Sequence, residues 1–366
     1  MNQNIYNFSA GPSVLPKEAT KQAAEAILNF ANTGVGILEM SHRTPPIENM
    51  VAQTDSLLRE LLQIPDSYEI LFLGGGASLQ FSMAPLNLCS SDDTVDYTDT
   101  GVWAAKAIKE AKQLAHVNVV SSSKESIYSY IPKDFNQSAK ATYLHVTSNN
   151  TIYGTQWKTF PKANTYLVSD MSSDILSRKI NVSDFGLIYA GAQKNMSCAG
   201  VTVVIVRKDI LGKTNRIVPT MLQYQTHIEA KSMFNTPPVF PIYVMNRTLN
   251  WLQENGGVEN IEKINIEKSN LLYEALDQSK LFMGTAAKED RSTMNVPFVF
   301  NKENVSENQI QSLEKDFLNF TTEQGLVQLK GHRSVGGFRA SIYNAMPIDG
   351  IKALVQALED FEKKVI

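Results

Sequence analysis

Lys194 stands in Ala190-Gly-Ala-Gln-Lys194-Asn, among small residues and between two apolar runs. An amine held in so crowded and water-poor a place gives up its proton more readily and becomes a nucleophile. Asp170 closes the apolar run Thr165-Tyr-Leu-Val-Ser169, 24 positions earlier. A carboxylate at the C-terminal end of such a strand sits where α/β proteins gather their ligands. Gly74-Gly75-Gly76-Ala77-Ser78 separates a strand-like run from a helical one. Its glycines let backbone N–H groups close on an anion, the helix N-terminus adds a favourable dipole, and Ser78 adds a hydroxyl. It is neither a Walker loop nor a dinucleotide fingerprint. Singly, these features read as a solvated lysine, a turn cap and a tight strand-to-helix turn. Together they are what pyridoxal phosphate (PLP) requires: an amine for its aldehyde, a carboxylate for its ring nitrogen and a nest of donors for its phosphate. Trp103, after Asp99-Thr-Gly101, adds a flat face to stack on the ring, or else a core aromatic.

Two further segments suit anions. Gly331-His332-Arg333-Ser-Val-Gly336-Gly337 sets a His and an Arg on flexible backbone, with Arg339 following on an expected strand. Ser41-His42-Arg43 is a similar pair near the N-terminus. Arginine forks grip carboxylates and phosphates with two parallel hydrogen bonds, so this set suits a doubly anionic substrate. The five histidines are scattered without metal-ligand spacing, and no metal is expected.

The elements that must position these residues follow from periodicity. Helices are predicted over 16–30 and 47–63, the second ending before Pro65. Strands are predicted at 69–73, 94–97, 117–120, 141–146, 165–169, 187–190 and 201–206, separated by helices or long crossovers such as the helix over 102–114. That alternation predicts an α/β fold with a mainly parallel sheet covered on both faces. After residue 255 the pattern changes. A long helix follows Gly256-Gly257, a strand is predicted at 294–300, and Ser306-x-x-Gln309 is a capping-box pattern opening another helix. A strand at 339–342 and a C-terminal helix through Ile351, Leu354, Leu358 and Phe361 complete a smaller α+β region. The expected organisation is an N-terminal arm (1–15), a large PLP-binding α/β domain (16–257) and a small C-terminal α+β domain (258–366).

Composition narrows the function classes. With 366 residues and 43% hydrophobic content the chain can bury a large core without metal or disulfide staples. Lys plus Arg number 34 against 37 Asp plus Glu, and the net charge of −3 argues against nucleic-acid or anionic-membrane binding. Cys89 and Cys198 are the only cysteines, too few for a disulfide framework or a four-cysteine zinc site. Met1-Asn-Gln-Asn-Ile-Tyr6 has neither a basic stretch nor an apolar core, and Val201–Val206 is far too short to span a bilayer. A cytoplasmic protein is expected.

At these residues the chain resembles the phosphoserine aminotransferases, fold-type-I PLP enzymes of class V. The likeness runs from Asn7-Phe-Ser-Ala-Gly-Pro12 through Gly191-Ala-Gln-Lys-Asn195 and Ser232-Met-Phe-Asn-Thr-Pro-Pro238 to Gly331-His-Arg and Arg339-Ala-Ser-Ile-Tyr-Asn-Ala-Met-Pro347. It implies a homodimer that exchanges an amino group between glutamate and 3-phosphohydroxypyruvate, giving 2-oxoglutarate and phosphoserine for serine synthesis, and in many bacteria also serving pyridoxine synthesis. By the same likeness, Lys194 would hold PLP covalently and then carry the proton of the reaction. Asp170 would pair with the ring nitrogen and Trp103 would stack on the ring. Ala77, Ser78, Thr151 and Gln193 would line the cofactor site, with Asn235 and Thr236 reaching the phosphate from the other subunit. Ser9, Arg43, His332, Arg333 and Arg339 would bind substrate anions. Some relatives carry Arg where this chain has Ser78. The rival reading, a cysteine desulfurase of the same fold, needs a mobile loop-tip cysteine. Cys198 is close to Lys194 in sequence and Cys89 follows an apolar helix, so neither has that setting.

Overall fold

The computed structural model describes residues 4–366. Met1 to Gln3, part of the segments read above as an arm and for a targeting signal, lie outside the described residues. The chain opens with β1 (Tyr6–Asn7), α1 (Lys17–Leu28), α2 (Pro45–Leu62), β2 (Tyr68–Leu73), α3 (Gly76–Leu88), β3 (Thr94–Asp99), α4 (Val102–Ala111) and β4 (His116–Ser122). Then come β5 (Leu144–Thr147), the hairpin β6 (Asn149–Asn150) and β7 (Thr155–Gln156), β8 (Leu167–Asp170), β9 (Phe185–Gly191), β10 (Thr202–Arg207), α5 (Tyr224–Glu229) and α6 (Val239–Glu254). The remainder is α7 (Gly257–Gln278), β11 (Phe282–Gly284), β12 (Asn295–Phe300), α8 (Glu307–Glu323), β13 (Leu326–Val327), β14 (Phe338–Ser341) and α9 (Ile348–Val365).

Seven strands form the main sheet in the order β2-β10-β9-β8-β5-β3-β4. All neighbours are parallel except β10, which runs against both β2 and β9. The connection 192–201 has no helix and is too short for a crossover, so β10 returns antiparallel. The expected mainly parallel sheet is present with this one reversal. Burial on both faces explains why β2, β9 and β10 read as nearly unbroken apolar runs, whereas the edge strand β4 is partly exposed and mixes polar with apolar residues. Ile70, Phe72, Val203 and Ile205 face the core beneath α1, α2 and α6, while Leu71, Leu73, Val204 and Val206 face the core beneath α3 and α4.

Differences from the sequence reading have local causes. Helix α2 starts two residues before Ile47, because prolines need no N–H partner in a first turn. Helix α6 was not foreseen. Pro237, Pro238 and Pro241 obscure its start, although Arg247, Asn250, Gln253 and Glu254 lie at helical spacing on its less buried face. The Ser306 hydroxyl bonds the Gln309 side chain at 2.6 Å and caps no backbone N–H, so the expected capping box is not formed.

A second core surrounds the antiparallel sheet β11-β12-β14, where Phe282, Phe298, Phe317 and Phe338 pack ring against ring. Phe8 is fully buried in it, and β1 pairs with β13, so the chain's start is tied to its C-terminal region. Helix α7 joins the two cores through Val258 and Ile261 at one end and Leu272 and Leu276 at the other.

Midway along α7, Lys268 is fully buried. Its ammonium donates to the carbonyls of Ile342 (2.9 Å), Tyr343 (2.8 Å) and Met346 (3.1 Å), fixing the turn that follows β14. Lys268→Met takes this donor from all three carbonyls and leaves that of Tyr343 with only the Met346 N–H. It should lower unfolding stability by about 3 kcal/mol, read as a lower urea midpoint at unchanged slope. An unchanged midpoint would show that the turn holds itself.

Candidate active site

Asp170 ends β8 at the C-terminal edge of the sheet, in register with Thr147 of β5 and Tyr189 of β9. Alternation from Val168 turns its side chain to the α3–α4 face. It is 5% exposed, and its Oδ1 accepts the Ser172 N–H at 2.9 Å. Burial raises its carboxyl above the ordinary range, opposed by the Ser172 hydrogen bonds and by the charge of Lys194.

Lys194 lies in the loop between β9 and β10 and is 9% exposed. Its Nζ donates to Thr151 Oγ1 at 2.8 Å, and that hydroxyl donates to Ser173 Oγ at 3.0 Å. Thr151 sits in the turn of the β6–β7 hairpin, which closes through Gly154 at φ +72°. A Cβ at Gly154 would stand 2.2 Å from Pro297 Cδ, so only glycine lets this turn seat against β12. The N-terminal segment crosses the lysine loop: Ser13 N–H donates to the Gln193 carbonyl at 3.0 Å, and its hydroxyl to that of Lys194. Burial lowers the Lys194 amine to about 8, Asp170 raises it in part, and Arg339 lowers it further. About a tenth of it is therefore uncharged at pH 7, far more than of an ordinary lysine.

Across from these groups, α3 begins after Gly75, whose φ of +87° makes the sharp strand-to-helix turn. No side chain caps this start, so the first-turn N–H groups of Gly76, Ala77 and Ser78 face outward as donors. Trp103 is on the first turn of α4 and half-buried against the same core as Ala77.

Cations gather on the remaining side. Arg339 Nη1 lies 3.4 Å from the Thr151 carbonyl, and burial lowers its pKa. Ser334 N–H donates to His332 Nδ1 at 3.2 Å, which leaves Nε2 to carry the proton of the neutral ring. Burial first, then the charges of Arg339, Arg333 and Lys106, lower His332 below its ordinary value. Among the described residues neither Arg333 nor Arg339 has a carboxylate partner.

Known proteins share this sequence and fold. The family model for class-V aminotransferases matches residues 5–354. A phosphoserine aminotransferase of Bacteroides thetaiotaomicron is 51% identical over 98% of this chain and 99% of its own. The chain belongs to the phosphoserine aminotransferase family. The phosphoserine aminotransferase of Bacillus circulans subsp. alkalophilus has a TM-score of 0.93 at 44% identity, covering 99% of each chain. A PLP-bound phosphoserine aminotransferase from Trichomonas vaginalis has a TM-score of 0.90 at 39% identity, covering 97% of this chain and all of that one.

For a member of this family the donor set fits PLP. An amine and a carboxylate are both buried at one sheet edge, beside free N–H groups and an indole face. At the same edge Thr147 Oγ1 and Asp99 Oδ1 are buried without a hydrogen-bond partner. Lys194, Asp170, Thr151, Gln193 and Arg339 come together within the single chain. Ala77, Ser78 and Trp103 share the α3–α4 face. Ser9 is half-buried, its N–H on Asn7 Oδ1 at 3.0 Å. Arg43 is exposed, and among the described residues its guanidinium has only His42 as a partner, at 3.3 Å. Asn235 and Thr236 are exposed, and Asn235 lines a shallow hollow with Gly74, Leu79 and Met221. Cys89 is buried, donates to the Pro85 carbonyl at 3.1 Å and is pushed up to about 11, the opposite of an activated thiol.

Two contributors were not singled out in the sequence. Tyr343 donates to the Ala10 carbonyl at 2.9 Å and tethers the N-terminal segment to the end of β14. Lys106 joins the cationic group. Its spacing of three from Trp103 on a helix was the available signal.

Lys194 should react as a free amine once pH rises through about 8, rather than above 10. Arg339→Met removes a like charge, so it should raise that midpoint. Peptide mass spectrometry of cofactor-free protein treated with cyanate across a pH series reads the shift. A midpoint that falls would contradict the electrostatic picture.

Proposed function

We propose that the protein transfers an amino group between L-glutamate and 3-phosphohydroxypyruvate, giving O-phospho-L-serine and 2-oxoglutarate in serine biosynthesis, with PLP as its cofactor. The observation that carries this reading is the pair of guanidiniums Arg339 and Arg333, without carboxylate partners, with the neutral N–H donor His332 among them and a buried amine of lowered pKa beside them. Two anions on one small substrate would neutralise it.

PLP, when bound, supplies an electron sink for the charge that builds at the substrate Cα. Lys194 holds the cofactor through Nζ and afterwards moves the proton at Cα, a task suited to an amine that exchanges protons near pH 8. Asp170 would pair with the ring nitrogen of the bound cofactor, and Trp103 and Thr151 would orient its ring. The N–H groups of Ala77 and Ser78 hold the cofactor phosphate, joined by Asn235 and Thr236 from a second copy of the chain. Their exposure in the single chain supports a homodimer with shared sites. Gln193 lines the same site. Arg339 binds the α-carboxylate common to both amino acids, with Ser9 beside it. His332, Arg333 and Arg43 accept either the phosphate or the γ-carboxylate of glutamate. A phosphorylated hydroxythreonine of pyridoxine synthesis has the same pair of anions and fits the same set. Among the described residues no helix is long and apolar enough to cross a membrane, and we place the enzyme in the cytoplasm. The arm, large domain and small domain keep the limits 1–15, 16–257 and 258–366 as working divisions.

The test is an assay of 2-oxoglutarate release from glutamate and 3-phosphohydroxypyruvate. Wild type should turn over, and Lys194→Ala should not. In the reverse direction Arg333→Ala should raise KM about ten- to a hundredfold more for phosphoserine than for alanine, which has no side-chain anion. Arg339→Ala should weaken both alike. Equal losses in the Arg333 variant would reverse the two assignments.

A further inference from the structure

Helix α4 brings a second residue to the site besides Trp103. Lys106 lies three positions on, on the same helix face, with Nζ 4.3 Å from the centroid of the Trp103 ring. At that range the ring face attracts the ammonium, which holds a long side chain in place where solvent would otherwise take it. One turn back, Val102 packs with Val335, Tyr128, Ile152 and Tyr153. The loop carrying His332 and Arg333 therefore rests on the start of α4. Lys106 stands close enough for its charge to act on His332, together with Arg333 and Arg339. Among the described residues Lys106 has no carboxylate partner. Cations kept together without a counter-ion repel one another, and that repulsion is relieved only when an anion enters.

We infer that Lys106 is a specificity-determining residue of the substrate site, binding the distal anion of the substrate together with His332 and Arg333. The inference rests on the functional reading above. Phosphate carries more charge than a γ-carboxylate, so Lys106 favours phosphoserine over glutamate. Its contact with Trp103 keeps the ammonium at the edge of the cofactor site before substrate arrives.

The test uses the holoenzyme and the exposed-site variants Lys106→Met and Lys106→Arg. Lys106→Met should lower kcat/KM for phosphoserine about ten- to a hundredfold more than for alanine, with most of the loss in KM. Lys106→Arg should recover most of it. Calorimetric titration with 3-phosphoglycerate, which has the two anions but no amine, should show affinity weakened by a similar factor in Lys106→Met. Unchanged 3-phosphoglycerate affinity would overturn the inference. So would equal losses for phosphoserine and alanine, which would mark Lys106 as a support for Trp103 alone. A wild-type enzyme that binds 3-phosphoglycerate without turning over phosphoserine would overturn the functional reading instead, and the binding ratio would still decide Lys106.

Discussion

Everything around the site serves one constraint: an amine and a carboxylate must both be kept out of water yet short of a tight ion pair. Lys194 is at 9% and Asp170 at 5% exposure, and burial drives their pKa values in opposite directions, the amine down and the carboxyl up. Each partly stabilises the charge on the other. Neither hydrogen-bonds the other. Thr151 takes the lysine N–H and Ser172 serves the carboxylate, so both groups remain free to engage a third partner. The parallel sheet makes this possible, because its strand ends place Thr147, Asp170 and Tyr189 side by side on the face beneath α3 and α4.

The same constraint explains why the site draws on both ends of the chain. Residues 8–13 run from the second core, where Phe8 is buried, across Tyr343 to the lysine loop, where Ser13 binds both the Gln193 and Lys194 carbonyls. Lys268 holds the turn beyond β14, which carries Tyr343 within a few residues of Arg339. Arg339 in turn reaches the Thr151 carbonyl and lowers the lysine amine. A small shift of the C-terminal region would thus move the Arg339 guanidinium and change the proton affinity of Lys194.

How much of this the sequence displays depends on whether a residue acts through its neighbours in the chain. The glycine turn before α3, Asp170 at a strand end and Lys194 in a crowded loop are local patterns, and each sits where periodicity placed it. Strands β2, β9 and β10 were readable because burial on both faces makes them largely apolar, and β4, exposed in part, was readable from its β-branched residues. Helix α6 was masked by the prolines at 237, 238 and 241 around its start, although Arg247, Asn250, Gln253 and Glu254 keep a 3.6-residue period. Lys106 and Tyr343 act on residues distant in sequence, Lys106 by its charge on His332 and Tyr343 by its bond to Ala10, and only the fold brings those residues within reach. Arg43, Asn235 and Thr236 carry family motifs, yet the single chain leaves them exposed, and the sequence alone offers no local signal of what they would complete.

The central claim is that Asp170 works through its negative charge toward the bound cofactor, beyond shaping the sheet edge. Asp170→Asn keeps the size and the Ser172 contact but removes the charge. In a rapid-mixing experiment with holoenzyme and phosphoserine, monitored by the cofactor's absorbance, the single-turnover rate should fall by about a thousandfold or more, equivalent to roughly 4 kcal/mol. Cofactor content and thermal unfolding, measured alongside, should show that the variant is folded and loaded. A loaded variant reacting within tenfold of wild type would contradict the claim.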